Sequence, residues 1–254
     1  MRRPAFSYYG AKFRLARHYP PPMHDTIIEP FAGAAGYSIR HWHKDVILVD
    51  LDPHIAGVWE YLITSSPDVI RALPLINPKT NIRKLDICDE AQWLIGFWSG
   101  QGTPRPRVTP SRWPNKEDGS QNSGWTRATR EHVALVASRI SHWKIIHGDY
   151  TEAPGLEATW FIDPPYQEKG HYYRHGSKGL DYGDLARWCR SRRGQVMVCE
   201  NDGATWLPFN GFRQQRSTWR PAAGEQTSNE VVWYNLNNPW PQMTLNATWG
   251  EATE

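Results

Sequence analysis

Short apolar runs closed by turn-forming residues alternate along this chain with stretches of helical periodicity, and that alternation constrains the fold more than any other feature. The runs lie at Thr26–Ile28, Val46–Val49, Lys144–Ile146, Thr159–Ile162, Gln195–Cys199 and Glu230–Tyr234. Helical patterns fall between them, at about Gly36–His43, His54–Ile63, Thr129–Ser141 and Tyr182–Ser191. The order predicts an α/β protein whose sheet is mostly parallel and covered by helices. One interval breaks the rhythm. From about Asp86 to Trp125 the chain is rich in Gly, Pro, Ser, Asn, Arg and Trp, including Gly100-Gln101-Gly102-Thr103-Pro104-Arg105-Pro106-Arg107. Irregular stretches of that length are functional or disordered more often than not. At 254 residues the chain suits one large α/β domain with an insertion, or two modest domains. The expected division is a sheet domain at 1–85 and 143–236, an inserted region at 86–142 and a C-terminal extension at 237–254.

A hydrophobic content of 39% is enough for a packed core and excludes wholesale disorder. The formal charge of +3 permits a nucleic-acid partner without demanding one. No apolar run approaches the ~20 residues that span a bilayer. Met1-Arg2-Arg3-Pro4 leads into aromatics and charges rather than a signal-peptide core, so a soluble, cytoplasmic protein with no membrane partner is expected. Cys88, Cys189 and Cys199 are odd in number and widely spaced, which suits neither a disulfide framework nor a zinc site. Fourteen tryptophans are unusual for this length. Those at Trp98, Trp113 and Trp125 are either the core of a small subdomain or faces offered to a ligand.

The apolar run ending at Ile162 is followed at once by Asp163-Pro164-Pro165-Tyr166. Proline fixes its own backbone and restricts the residue before it, so two in succession hold the Asp163 carboxylate and the Tyr166 ring at a set separation. Such a group suits gripping a planar amine. A strand ending in a plain proline turn would read the same way.

Earlier in the chain, Glu29-Pro30-Phe31-Ala32-Gly33-Ala34-Ala35-Gly36 follows the first strand and leads toward a helix. Small residues allow a tight turn and close approach of a ligand to the main chain, and a helix N-terminus offers unpaired N–H groups. About twenty residues on, the second strand ends in Val49-Asp50-Leu51-Asp52, where an acid can accept from both hydroxyls of a ribose. Asp52 also suits the N-cap of the following helix. Asp149, in His147-Gly148-Asp149-Tyr150, again sits just past a strand. Acids and a glycine turn at successive strand ends converge on one crevice and imply a nucleoside-bearing cofactor.

With these elements in one order, the sequence resembles the Dam-like class of S-adenosylmethionine-dependent DNA adenine N6-methyltransferases, many of them phage or prophage borne. The resemblance runs from Phe6 to about Leu236. It rests on Ser7-Tyr8-Tyr9-Gly10-Ala11-Lys12, then Glu29–Gly36, then Asp50, then Asp163–Tyr166 after an insertion. DPPY occurs in other amino-group methylases as well. The aromatic-Gly-small-Lys opening ahead of a glycine turn is narrower.

The resemblance implies a Rossmann-like methyltransferase sheet with helices on both faces and an inserted target-recognition region. It implies S-adenosylmethionine as cofactor, S-adenosylhomocysteine as product and no metal. Tyr8, Lys12 and the turn of Phe31, Ala32, Gly33, Ala34 and Gly36, led by Glu29, would surround the methionine part. Asp50 would hold the ribose, and Asp149 would lie near the adenine or ribose. Asp163 would border the cofactor and accept from the target amino group together with the Pro164 carbonyl. Pro165 completes the rigid turn, and Tyr166 would stack on the target base. Ala35 stands where the family usually has a second glycine, which implies an altered turn. Tyr8 stands where tryptophan is found in well-known members.

The implied partner is DNA, double-stranded, bound by a monomer, in the bacterial host cytoplasm if phage encoded. Arg105, Arg107, Arg112, Lys116, Arg127 and Arg130 supply phosphate partners, interleaved with Trp113, Asn115, Gln121, Asn122 and Trp125. Lys169 and Tyr172 follow the DPPY turn in a loop with His171, Tyr173, Arg174 and His175. A solvated basic loop is the plain alternative for any one of these residues. Methylation of an RNA adenine or a protein glutamine uses the same grip, and an inactive methylase fold can persist as a DNA-binding protein. Lys12 and the basic insertion favour DNA, and the intact acids favour an enzyme. A dinucleotide oxidoreductase leaves the DPPY grip without a use.

Overall fold

Seven strands share one sheet: β1 (Thr26–Glu29), β2 (Asp45–Asp50), β3 (Lys144–His147), β4 (Glu157–Ile162), β5 (Arg193–Asn201), β6 (Asn210–Arg216) and β7 (Thr227–Tyr234). Their order is β3-β2-β1-β4-β5-β7-β6. From β3 to β5 all pairs are parallel. β7 runs antiparallel to both β5 and β6. The computed structural model describes residues 1, 3–100, 102–111, 124–167, 179–216 and 227–236, of which 212–216 and 227–229 are described by backbone alone.

The pleat sends alternate side chains to opposite faces, and both faces are apolar. Ile27, Leu48, Phe161 and Met197 join one buried cluster, with residues of α1 (Pro53–Thr64), α2 (Pro67–Ala72), α3 (Asp89–Trp98) and α4 (Arg127–Ile140). Ile28, Val49, Trp160 and Val198 join the other, with Leu185, Ala186 and Cys189 of α5 (Tyr182–Arg190). Helices therefore cover both faces. Side-chain oxygens start most of them: Asp52 caps α1, Ser66 α2, Thr126 α4 and Asp181 α5. No described helix is long and apolar enough to cross a membrane.

Three expectations need correction. The pattern at Gly36–His43 gives only a 3-10 turn at Ser38–His41, because the left-handed residues Gly33 (φ 45°) and Ala35 (φ 44°) use the preceding chain for a tight bend. The interval from Asp86 is not irregular at its start: α3 buries Ala91, Leu94, Ile95 and Trp98, spaced i, i+3, i+4 and i+7. Nor do the helices of 86–142 form a core of their own, since Leu94 of α3 and Val133 of α4 join the same cluster as Ile27 and Leu48. Trp98 and Trp125 belong to the main core rather than to a subdomain core or a ligand face: their indole N–H groups donate to the Ala5 carbonyl at 3.1 Å and the Pro74 carbonyl at 2.9 Å. The extension at 237–254 lies outside the described residues.

Two features place the site. Strand order reverses between β1 and β4, so the chains leaving their carboxyl ends diverge and open a crevice there. Ahead of β1, the Met23 amide donates to Thr159 Oγ1 (3.1 Å) and Gln195 Oε1 (2.9 Å), and Gln195 Nε2 donates to the Pro21 carbonyl (3.2 Å). This strap lies across β4 and β5 and sets Tyr19, the residue before it, over the sheet.

Candidate active site

At the reversal point lies a cavity of about 330 Å³. The residues that the sequence assigned to a cofactor all line it: Tyr8 and Lys12 from the N-terminal segment, Glu29 through Gly36 around the end of β1, Asp50, Asp149 and Asp163. The glycine turn is built for contact. A methyl on Gly33 would stand 3.3 Å from the Tyr8 ring, and one on Gly36 would stand 2.6 Å from the Phe13 nitrogen and 2.8 Å from the Lys12 carbonyl carbon. Gly36 thus lets the backbone carrying Lys12 lie directly on the turn. The Gly33 carbonyl is held from below by the Trp59 indole at 2.8 Å.

The acids differ in what they do. Glu29 is 2% exposed and accepts from the Ser38 amide at 2.7 Å, and burial pushes its carboxyl up to about 8. Asp50 accepts from the Gly33 amide at 2.9 Å and the Asp52 amide at 2.9 Å, so it stitches the two strand ends together. Burial raises it to about 6, against the pull of those two amides. Asp52 is the N-cap of α1. Asp149 caps the 3-10 turn Tyr150–Glu152 in a reciprocal box with Glu152, and Phe31 stacks on Tyr150 with centroids 5.3 Å apart.

Glu29 makes a testable contribution to stability. Unfolded, it releases its proton near 4.5, and folded, near 8, so between these values the native state holds more protons and stability falls as pH rises. Glu29→Gln, which cannot ionise, is expected to show a smaller fall in melting temperature between pH 5 and 8.5 than the native sequence. Equal slopes in thermal melts across that window would count against the buried, protonated carboxyl.

Past β4, Lys12 and Asp163 meet. Lys12 Nζ lies 3.0 Å from Asp163 Oδ1 and 4.8 Å from the centroid of the Tyr166 ring, and Lys12 is 7% exposed. Asp163 and Pro165 line the cavity, whereas Pro164 is buried and Tyr166 packs beside the core under Lys12. The turn is buttressed by two groups that sequence reasoning missed. The Tyr182 hydroxyl, at the start of α5, donates to the Pro165 carbonyl at 2.6 Å. Glu200, 1% exposed near the end of β5, accepts from the Gln167 amide at 3.3 Å and the Trp206 indole at 3.0 Å. Glu230 and Tyr19 were missed too: the Tyr19 hydroxyl donates to Glu230 Oε1 at 2.5 Å, and Glu230 Oε2 lies 3.8 Å from Lys12 Nζ. The signal for Glu230 was present, as an acid heading the apolar run Glu230–Tyr234.

The residues expected to meet DNA divide. Arg105, Arg107 and Arg127 are exposed. Arg130 is half-buried, and its Nη1 donates to the Leu73 carbonyl at 2.6 Å, so it joins α4 to the end of α2 rather than standing free for a phosphate. Arg112, Lys116, Lys169 and Tyr172 lie outside the described residues, as do Trp113, Asn115, Gln121, Asn122, His171, Tyr173, Arg174 and His175. Among the described residues no three His, Cys, Asp or Glu side chains gather as metal ligands.

The chain matches no protein-family model and no curated protein. Among solved structures it is similar to one described as a conserved hypothetical protein from Streptococcus pyogenes, at 11% identity over 88% of this chain and 93% of that one, with a TM-score of 0.35. A likeness of that degree carries no argument about chemistry.

Proposed function

We propose that the protein is an S-adenosylmethionine-dependent methyltransferase of the Rossmann-like kind that acts on the N6 amino group of adenine in DNA. The observation that carries this reading is the meeting of Lys12, the Glu29–Gly36 turn and Asp163 around one cavity at the reversal of strand order. A volume of about 330 Å³ falls within the range of small-molecule sites. Phe31 and the half-exposed Leu51 give it apolar walls, and acids stand at or just past the ends of β2, β3 and β4, acceptors suited to a nucleoside carrying a positive charge. The cofactor supplies an electrophilic methyl group when bound. Asp50 keeps lone pairs for ribose hydroxyls beyond the two amides it already accepts.

Adenine's exocyclic nitrogen is a poor nucleophile because its lone pair is delocalised into the ring. Asp163 and the Pro164 carbonyl accept its two N–H groups, which returns density to the nitrogen and aims its lone pair. The amine's proton becomes acidic only once the methyl is transferred, and the carboxylate is then in place to receive it. Tyr182 and Glu200 keep the grip rigid from behind. A base inside a duplex cannot reach such a site, so the target rotates out of the stack. The Tyr166 ring replaces part of the lost stacking, worth ~1–3 kcal/mol. Arg105, Arg107 and Arg127 remain as surface partners for phosphates.

The test is incubation of the protein with methyl-labelled cofactor and, separately, duplex DNA, single-stranded DNA, RNA and a protein lysate. N6-methyladenine in digested DNA is the expected product. Label confined to RNA or to protein glutamine would replace the substrate named here.

A further inference from the structure

Beside Lys12 lies a buried carboxylate to which methyl transfer gives no role. Glu230, on β7, is 4% exposed, accepts from the Tyr19 hydroxyl at 2.5 Å and reaches within 3.8 Å of Lys12 Nζ. The same ammonium lies 3.0 Å from Asp163 Oδ1 and 3.4 Å from the Gly10 carbonyl. One buried cation therefore faces two carboxylates. The described side chains around Glu230 include Lys12 from the N-terminal turn, Tyr19 just before the strap, Asp163 and Tyr166 from the turn after β4, and Cys199 from β5, and Arg213 of β6 stands opposite Glu230 in the sheet register. Among those described side chains, Lys12 is the cation that reaches the Glu230 carboxylate, at 3.8 Å. Cys199 donates to the Tyr19 oxygen at 3.4 Å, and burial pushes its thiol up, so it stays neutral. Glu29, which also senses Asp163, is neutral at pH 7 and bonded to Ser38, so it does not compete for the ammonium.

An ammonium paired wholly with Asp163 would draw that carboxylate away from the amine it has to accept. A second acid pulling on the same ammonium leaves Asp163 with charge and lone pairs to offer. We propose that Glu230 is a positioning residue which, by holding Lys12 jointly with Asp163, keeps Asp163 available as the acceptor for the substrate amino group. This rests on the methyl-transfer reading above. Only ionised Glu230 can act so. Burial and Asp163 push its carboxyl above the usual glutamate range while Lys12 and the Tyr19 hydroxyl oppose the shift. The joint hold therefore forms as pH rises through that raised value and is lost below it.

Lys12 supplies its own reporter. In protein labelled with nitrogen-15 at lysine side chains, the ammonium signal that Lys12→Met removes should move with pH in the native sequence. It should stay fixed over the same range in Glu230→Gln, whose amide keeps the size and the acceptor for Tyr19. Identical titration in both overturns the proposal whatever the activity. In turnover, Glu230→Gln should lower kcat about tenfold without a comparable change in KM and should lose the acid-side pH dependence. An unchanged kcat and pH profile also overturn it. Tyr19→Phe, which removes one hydrogen bond to the ionised form, should move the Lys12 titration to higher pH, and no movement counts against the proposal. If the native protein leaves DNA unmethylated while the Lys12 signal behaves as stated, the substrate reading falls and the hold on Lys12 stands.

Discussion

If the proposed methyl transfer is right, Asp163→Ala is expected to lower it by about a thousandfold while the variant still folds and binds cofactor. The size follows from losing the acceptor that activates the amine, a loss comparable to removing one preorganised group from a transition-state site. Survival of the fold follows from the surroundings. Removing one partner of a buried ion pair ordinarily strands the other at a cost of about 3–5 kcal/mol. Here Lys12 retains Glu230 at 3.8 Å and the Gly10 carbonyl at 3.4 Å, so its charge stays compensated. The turn itself is fixed by Tyr182 and Glu200, neither of which touches the deleted carboxylate. Calorimetry with the cofactor should give an affinity close to the native one, and digestion of treated DNA should show almost no methyladenine. Normal methylation would sink the assignment. Asp163→Asn keeps an acceptor oxygen without the charge and is expected to fall between the two.

Gly36→Ala is expected to have the second largest effect, through geometry rather than chemistry. The added methyl would meet the Phe13 nitrogen at 2.6 Å and the Lys12 carbonyl carbon at 2.8 Å, and both are main-chain atoms that no rotamer change can move. The N-terminal segment has to lift off the turn, carrying Lys12 away from Asp163. Overpacking of this kind costs about 1–3 kcal/mol, or roughly 2–12 °C in melting temperature for a chain of this size. Cofactor affinity should fall as well, since Tyr8 and Lys12 form one wall of the cavity. A variant with native melting temperature and native affinity would show that the turn and the N-terminal segment are not in contact.

Much of this arrangement was legible in the sequence because short-range chemistry dictates it. Apolar runs marked six strands, and the glycine turn after β1 with the acids at the ends of β2 and β3 announced a crevice before any coordinates. What escaped was set by contacts between distant segments. Asn210–Arg216 has no apolar alternation, and it is a strand because it pairs with β7 at the sheet edge. The spacing of Ala91, Leu94, Ile95 and Trp98 was readable but was overshadowed by the Gly- and Pro-rich stretch that follows. Arg130 looked like a phosphate ligand because composition cannot tell an outward arginine from one turned onto the Leu73 carbonyl. Glu230 and Tyr19, 211 residues apart, could be joined only by the fold.

That separation has a consequence for the life of the molecule on the ribosome. The groups around Lys12 come from segments as much as 211 residues apart, so no fragment that ends before β7 can complete them, however well β1 to β5 have already packed. At a synthesis rate of about 5–20 residues per second, the interval between Tyr19 and Glu230 takes on the order of 10–40 s to translate. Until then the ammonium lacks Glu230, although Asp163 is in place once β4 and the turn after it are made. The hold on Lys12 is completed only when β7 slots between β5 and β6, so this part of the crevice matures after the strands that frame it.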